Sequence, residues 1–354
     1  MDTKWIKTNE ITPKEYKEAI AYGAELLNNG EIVAFPTETV YGLGGNAFNS
    51  EAASKIYAAK GRPADNPLIV HISYIDMLEE VVSDIPSVCR RLAFEFWPGP
   101  LTMILPKSDK VPKSTTGGLD TVAVRMPSHG VALDLIDAAG IPIAAPSANL
   151  SGKPSPTRGS HVYHDMIGRI PLILDSGAVD IGLESTIIDL TLPEPVILRP
   201  GKLTFADLKP FVPRLKENRY TTISNLEQPK APGMKYKHYA PDANVFLIPS
   251  EDKGVEFIKT RDIKGKSAVI VSENRWEDIK NYINPNLKII LGPTGDFEAL
   301  AHNLFHALRQ CDVEKIEEVY IEEFPEDGLG EALMNRIKKA VVKFPEVIGE
   351  ALAK

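Results

Sequence analysis

The residues best equipped for chemistry cluster just beyond predicted strands. In AAKGRPADNPLIVHI, Lys60 and Arg62 flank Gly61 at the end of a helical pattern, and Asn66 and His71 follow around the next apolar run. Either cation alone would only complement a helix dipole. Together, in a loop stiffened by Pro63 and Pro67, a point-charge ammonium and a planar guanidinium fork suit the oxygens of a triphosphate. FPTETVYGLGGNA, Phe35 to Ala47, places three hydroxyls, a carboxylate and a glycine cluster after a short strand. It reads as a long turn whose glycines supply positive φ angles, or as a G-x-G-x-x-A fingerprint through Gly42, Gly44 and Ala47. The fingerprint reading is weak, because it needs its first glycine at the strand end and six residues intervene.

IPIAAPSANLSGKPSPT gathers Ser147, Asn149, Ser151 and Ser155 after an apolar strand. These are turn formers, or donors to phosphate oxygens with Gly152 admitting a ligand close to the backbone. The stretch is no Walker A loop, since Pro154 follows Gly152 and Lys153. GKS at Gly265 to Ser267 fails too, with Thr260 where a glycine is required. In LESTIIDL and VILRPG, Ser185 and Thr186 open one strand and Arg199 closes the next. Arg125, inside the apolar run TVAVRMP, needs an anionic partner from protein or ligand.

Other chemistries fall away. There is neither a G-x-S-x-G nucleophile elbow nor an H-E-x-x-H zinc helix. His161 and His164 lie three apart without a third ligand and read as surface or capping residues. Cys89 and Cys311 are too few for a disulfide framework or zinc site and read as core. EEFPEDG reads as a solvated acidic loop. A net charge of -8 argues against strong bulk binding of nucleic acid. No apolar run is long enough for a bilayer, and polar Met1 to Asn9 is no secretory signal, so a soluble, cytoplasmic protein is expected.

These groups must be held by an alternating α/β scaffold. Thr12, Pro13 and Glu15 make a helix start that closes at Gly30. EIVAFP, NPLIVHIS, LTMILPK, DTVAVRMP, IPIAAPSA, PLILDSG, STIIDL and PVILRPG read as strands, with helices in SEAASKIYAAKG, PSVCRRLAFEFW and GVALDLIDAAG. Strands outnumber helices from Ile141 onward, so the sheet is expected to be mixed and twisted, with flanking helices. From Val212 to Pro241 periodicity fails, giving a division into 1–211, a linker 212–241, and 242–354. The last part alternates strands and helices as a smaller, three-layer, Rossmann-like α/β unit.

PTETVYGLG, K-G-R in AAKGRPADNPL, S-A-N in APSANLSG, and STIIDL with VILRPG, in this order from Ile20 to Ala206, together resemble the threonylcarbamoyl-AMP synthase family with its YrdC-like catalytic module. PGMKYKHYAP, followed by an α/β unit, resembles the linker and accessory domain of its longer members. The resemblance implies a nucleotidyltransferase that converts L-threonine, bicarbonate and ATP, with Mg²⁺, into threonylcarbamoyl-AMP and pyrophosphate. That is the first step of threonylcarbamoyladenosine formation, and it feeds a tRNA threonylcarbamoyl-transfer machinery.

Carried over by motif, Thr39, His71, Arg125, Ala145 and Ser185 would meet threonine. Lys60, Arg62, Asn66, Thr121, Ser147, Asn149, Ser155 and Arg199 would surround ATP, with Lys60 and Arg62 stabilising the charge of reaction. The mixed cationic and aromatic run Lys235, Tyr236, Lys237, His238 and Tyr239 is expected to fold over the cleft. The Mg²⁺ is expected to ride on the triphosphate with no protein ligand. Two readings compete: an RNA-binding module with a cationic concave face, and a related carbamoyl-transfer enzyme, which would need zinc-finger cysteines this chain lacks. GLGEALMNR, Gly328 to Arg336, resembles the family pattern without any chemistry attached to it.

Overall fold

The computed structural model describes residues 1–216, 230–232, 239–261 and 263–341, and within them the chain forms two sheets. The ten strands of the larger are β1 (Lys4–Lys7), β2 (Val33–Phe35), β3 (Gly42–Asn46), β4 (Ile69–His71), β5 (Leu101–Pro106), β6 (Thr121–Arg125), β7 (Ile143–Ala145), β8 (Leu172–Asp175), β9 (Thr186–Asp189) and β10 (Val196–Arg199). Their spatial order is β1-β8-β2-β3-β7-β4-β6-β5-β9-β10, with parallel and antiparallel pairs intermixed as expected. Helices α1 (Pro13–Asn28), α2 (Ser50–Lys60), α3 (Leu78–Val81), α4 (Ser87–Phe96), α5 (Gly130–Ala139), α6 (Gly159–Met166) and α7 (Phe205–Leu208) pack around it.

The helix punctuation follows the sequence. Thr12 and Glu15 form a reciprocal capping box on α1, and Gly61 ends α2 in the left-handed region. Register then sets the site: β4 beside β6 brings His71 next to Arg125, and Arg125 lies opposite Thr102 on β5.

Two strands escape the sequence reading. β1 lies in the polar N-terminal stretch, parallel to β8 at the sheet edge. GLGGN, read as loop, is strand β3, antiparallel to β2 and β7. A glycine ribbon has little strand propensity, but here the missing side chains admit neighbours: a Cβ on Gly44 would lie 2.5 Å from Ile143 Cγ2 and 2.7 Å from the Phe35 ring.

The second sheet holds β11 (Asn244–Ile248), β12 (Ser267–Val271), β13 (Leu287–Ile290) and β14 (Glu318–Glu322) in the order β11-β14-β12-β13, all pairs parallel. With it go α8 (Glu251–Lys259), α9 (Glu273–Ile279), α10 (Phe297–Val313) and α11 (Leu329–Ala340). Alternation along β12 shows the three layers. Ala268 and Ile270 pack with Leu304 and Phe305 of α10 and Leu333 of α11, whereas Val269 and Val271 pack with Ile258 of α8 and Ile279 of α9. The first of these cores also takes in Val40 and Leu183 from the other half, so the two halves share buried apolar surface. Among the described residues no helix is long and apolar enough to cross a membrane.

Candidate functional site

A cleft of about 690 Å³ opens where the chain leaves β2, α2, β4, β6, β7 and β10. It brings together Thr39, Lys60, Arg62, His71, Arg125, Ala145, Ser147, Asn149, Ser155, Ser185, Arg199 and Tyr239. Asn66 and Thr121 are not among its lining. Asn66 is buried behind it, its carbonyl accepting from Arg62 (3.4 Å), and Thr121 pairs with Pro106 at the start of β6. Lys235, Tyr236, Lys237 and His238 lie outside the described residues.

One end is organised around Arg125, which is buried at 3% exposure. Its Nε donates to the Gly99 carbonyl (3.3 Å) and Nη1 to Thr39 Oγ1 (2.8 Å). Nη2 stands 2.7 Å from Oε1 of buried Glu38, yet off the hydrogen-bond direction. Nη2 and both Glu38 oxygens therefore have no hydrogen-bond partner among the described residues.

The hydroxyls here have fixed directions. Thr37 Oγ1 donates to the Val40 carbonyl (2.6 Å), so in the 2.9 Å contact with Thr39 it must accept. Thr39 spends its proton on Thr37 and meets a ligand only as an acceptor.

His71 closes this end. Its Nδ1 lies 3.0 Å from the Ile69 carbonyl, which can only accept, so Nδ1 carries the proton and Nε2 the lone pair. Burial, followed by the charge of Arg125, pushes its pKa down to about 3, so the ring is neutral.

Lys60, Arg62 and Arg199 also line the cleft. Lys60, the last residue of α2, is 2% exposed and donates to the carbonyls of Ser147 and Asn149. Burial and then Arg62 hold its pKa well below the usual lysine range. Arg62 donates to the Pro67 carbonyl (3.2 Å), and Arg199 to the Ser185 carbonyl and hydroxyl (3.1 Å each). Desolvation lowers both arginines to about 10, which leaves them charged at neutral pH.

Several participants escaped the sequence reading because their partners are remote in the chain. Glu184 accepts from Ser155 and, at 3.0 Å, from Nε of Arg336 on α11, a side chain with no exposure. Burial opposes its ionisation, but Arg336, Arg199 and Ser155 outweigh this and lower its pKa. The GLGEALMNR segment therefore acquires a role: its Arg336 pairs with Glu184, which lines the cleft. Tyr239 lines the cleft at φ +67, with its ring 5.2 Å from that of Phe305.

His161, read as surface or capping, is buried between the two halves and takes a backbone N–H at the start of α6. It is 8% exposed, accepts from the Thr157 N–H, and contacts His306 of α10 through Nε2 (3.1 Å). Lys153 is likewise engaged, pairing with Asp242 (2.6 Å) and Asp312 (3.0 Å).

The arrangement offers basic side chains for a carboxylate and for polyanionic oxygens, with hydroxyl and amide groups among them. Residues 25–201 match a family model described as telomere recombination (Sua5_yciO_yrdC), and residues 203–341 match one described as threonylcarbamoyl-AMP synthase, C-terminal domain. A protein of Pyrococcus abyssi named threonylcarbamoyl-AMP synthase is 46% identical over 332 residues, covering 92% of this chain and 94% of that protein. One of that name from Bacillus subtilis is 45% identical over 334 residues, covering 94% and 95%. The crystal structure of P. abyssi Sua5 complexed with L-threonine superposes with a TM-score of 0.86 at 44% identity, covering 96% of this chain and 97% of that one. With matches of that extent spanning both halves, the chain belongs to the threonylcarbamoyl-AMP synthase family.

Proposed function

We propose that the protein is an L-threonylcarbamoyladenylate synthase, combining L-threonine, bicarbonate and ATP into threonylcarbamoyl-AMP and pyrophosphate for threonylcarbamoyladenosine formation in tRNA. The observation that carries this is the polarity of the cleft. Arg125 lines it together with Lys60, Arg62 and Arg199. Threonine's carboxylate goes to Arg125, with Thr39, His71, Ala145 and Ser185 around the amino acid. The triphosphate goes to the three cations, with Ser147, Asn149 and Ser155 beside it.

The chemistry needs no protein nucleophile. Threonine's amine and bicarbonate give a carbamate and water. A carbamate oxygen then attacks the α-phosphorus of ATP, and the bond to the bridging oxygen of pyrophosphate breaks. The protein aligns the reactants and stabilises charge on the phosphoryl oxygens and leaving group, through Lys60, Arg62 and Arg199.

Glu184 is the one carboxylate among the described lining residues, and Ser155 and Arg336 engage it. That donor set fits magnesium carried in on the triphosphate rather than caged by protein. Of the linker, the described residues Pro232 and Tyr239 line the cleft, where they help exclude water from the labile carbamate.

The test is pyrophosphate release by the purified protein with Mg²⁺ and ATP, adding threonine and bicarbonate singly and together. Release that requires both is expected. Release needing neither, or none under any condition, overturns the assignment.

A further inference from the structure

We propose that Glu38 is the specificity-setting residue of the amino-acid end: it positions the Arg125 fork and, by neutralising it, makes the cleft select a zwitterion over a simple carboxylate. The inference rests on the threonine reading above. Glu38 is 4% exposed and Arg125 3%, so the two charges are withdrawn from water together. A lone buried guanidinium would attract any small carboxylate. One already facing a carboxylate at 2.7 Å presents the cleft with a pair whose charges sum to zero.

The geometry shows how a resident anion coexists with an arriving one. Gly99 and Thr39 fix Nε and Nη1, while Glu38 contacts Nη2 off the hydrogen-bond direction. Glu38 supplies its charge beside Nη2, an atom that solvent does not reach. Its own oxygens also lack hydrogen-bond partners among the described residues. An incoming carboxylate is drawn to Arg125 and repelled by Glu38 behind it, and a ligand that carries its own ammonium offsets that repulsion. Thr39, confined to accepting by its bond to Thr37, favours the same ligand, because an ammonium donates and a carboxylate does not. Glu38 acts through Arg125 and is a positioning residue.

The experiment is calorimetric titration of the full chain with L-threonine and with 3-hydroxybutyrate, which is threonine without its amino group. The wild type is expected to prefer threonine by about 100-fold or more. In Glu38→Gln, which keeps the shape and removes the charge, that preference should fall at least about tenfold, and Glu38→Asp should restore most of it. A structural role alone would weaken both ligands together and leave the ratio unchanged, and that result overturns the proposal. So does a wild type that binds the two equally, a comparison that needs no variant to fold. A wild type that binds neither overturns the threonine reading and this proposal together.

Discussion

Lys60 holds the Ser147 and Asn149 carbonyls with its ammonium at the end of α2, so it fixes the serine-rich loop and supplies charge at once. Lys60→Met should lower the turnover of pyrophosphate release by about 10²- to 10³-fold, and steady-state kinetics will show it. His71 makes a prediction in pH. Its folded pKa of about 3 lies below the ordinary 6.5, so between those values the unfolded chain binds more protons. Stability therefore rises with pH across that window and is lost as pH falls below about 6.5. The cost approaches about 1.4 kcal/mol per pH unit, and His71→Gln should flatten urea-unfolding stability against pH by that slope. An unchanged slope would mean His71 is not buried neutral. The cations and hydroxyls of this site were legible because each stands just past a strand or helix end in sequence. Glu38 and Glu184 were not, since their meaning lies in Arg125 and Arg336, respectively 87 and 152 positions away.

At the scale of elements, the glycine ribbon of β3 is the test. Gly44→Ala should destabilise by about 1–3 kcal/mol in chemical denaturation, since the added methyl meets Ile143 and Phe35 at the centre of the sheet. Alternating apolar runs and paired caps disclosed the other central strands and the main helices. Composition hid β3, because nothing in GLGGN alternates and its place is fixed by the flanking β2 and β7. The glycines of the fingerprint-like run admit Phe35 and Ile143. β1 was hidden for another reason, as an edge strand needs only one buried neighbour and KWIK shows too little apolar pattern.

The whole molecule is held together by charges crossing between its two halves. Arg309 of α10 donates to both oxygens of Asp165 (3.1 and 2.7 Å) and to the Pro154 carbonyl, with all of these side chains buried. Arg309→Ala should cost about 3–5 kcal/mol by stranding Asp165, and Arg309→Met with Asp165→Asn should recover much of it, as a double-mutant denaturation cycle will read. Lost periodicity near residue 212 suggested a division of the chain, but this docking was not readable, for it joins segments that share no local pattern.

The crossing ion pairs bear on how the gene can be shortened. Cutting the chain after Lys216 would strip Asp165 and Glu184 of their arginines, bare Val40 and Leu183, and leave Gly182 without the His302 backbone that now fits against it. What remained would expose two carboxylates deprived of their arginines and an aliphatic patch. Any stand-alone catalytic half would have to be redesigned along that seam, with neutral residues replacing both carboxylates and polar ones covering the apolar patch.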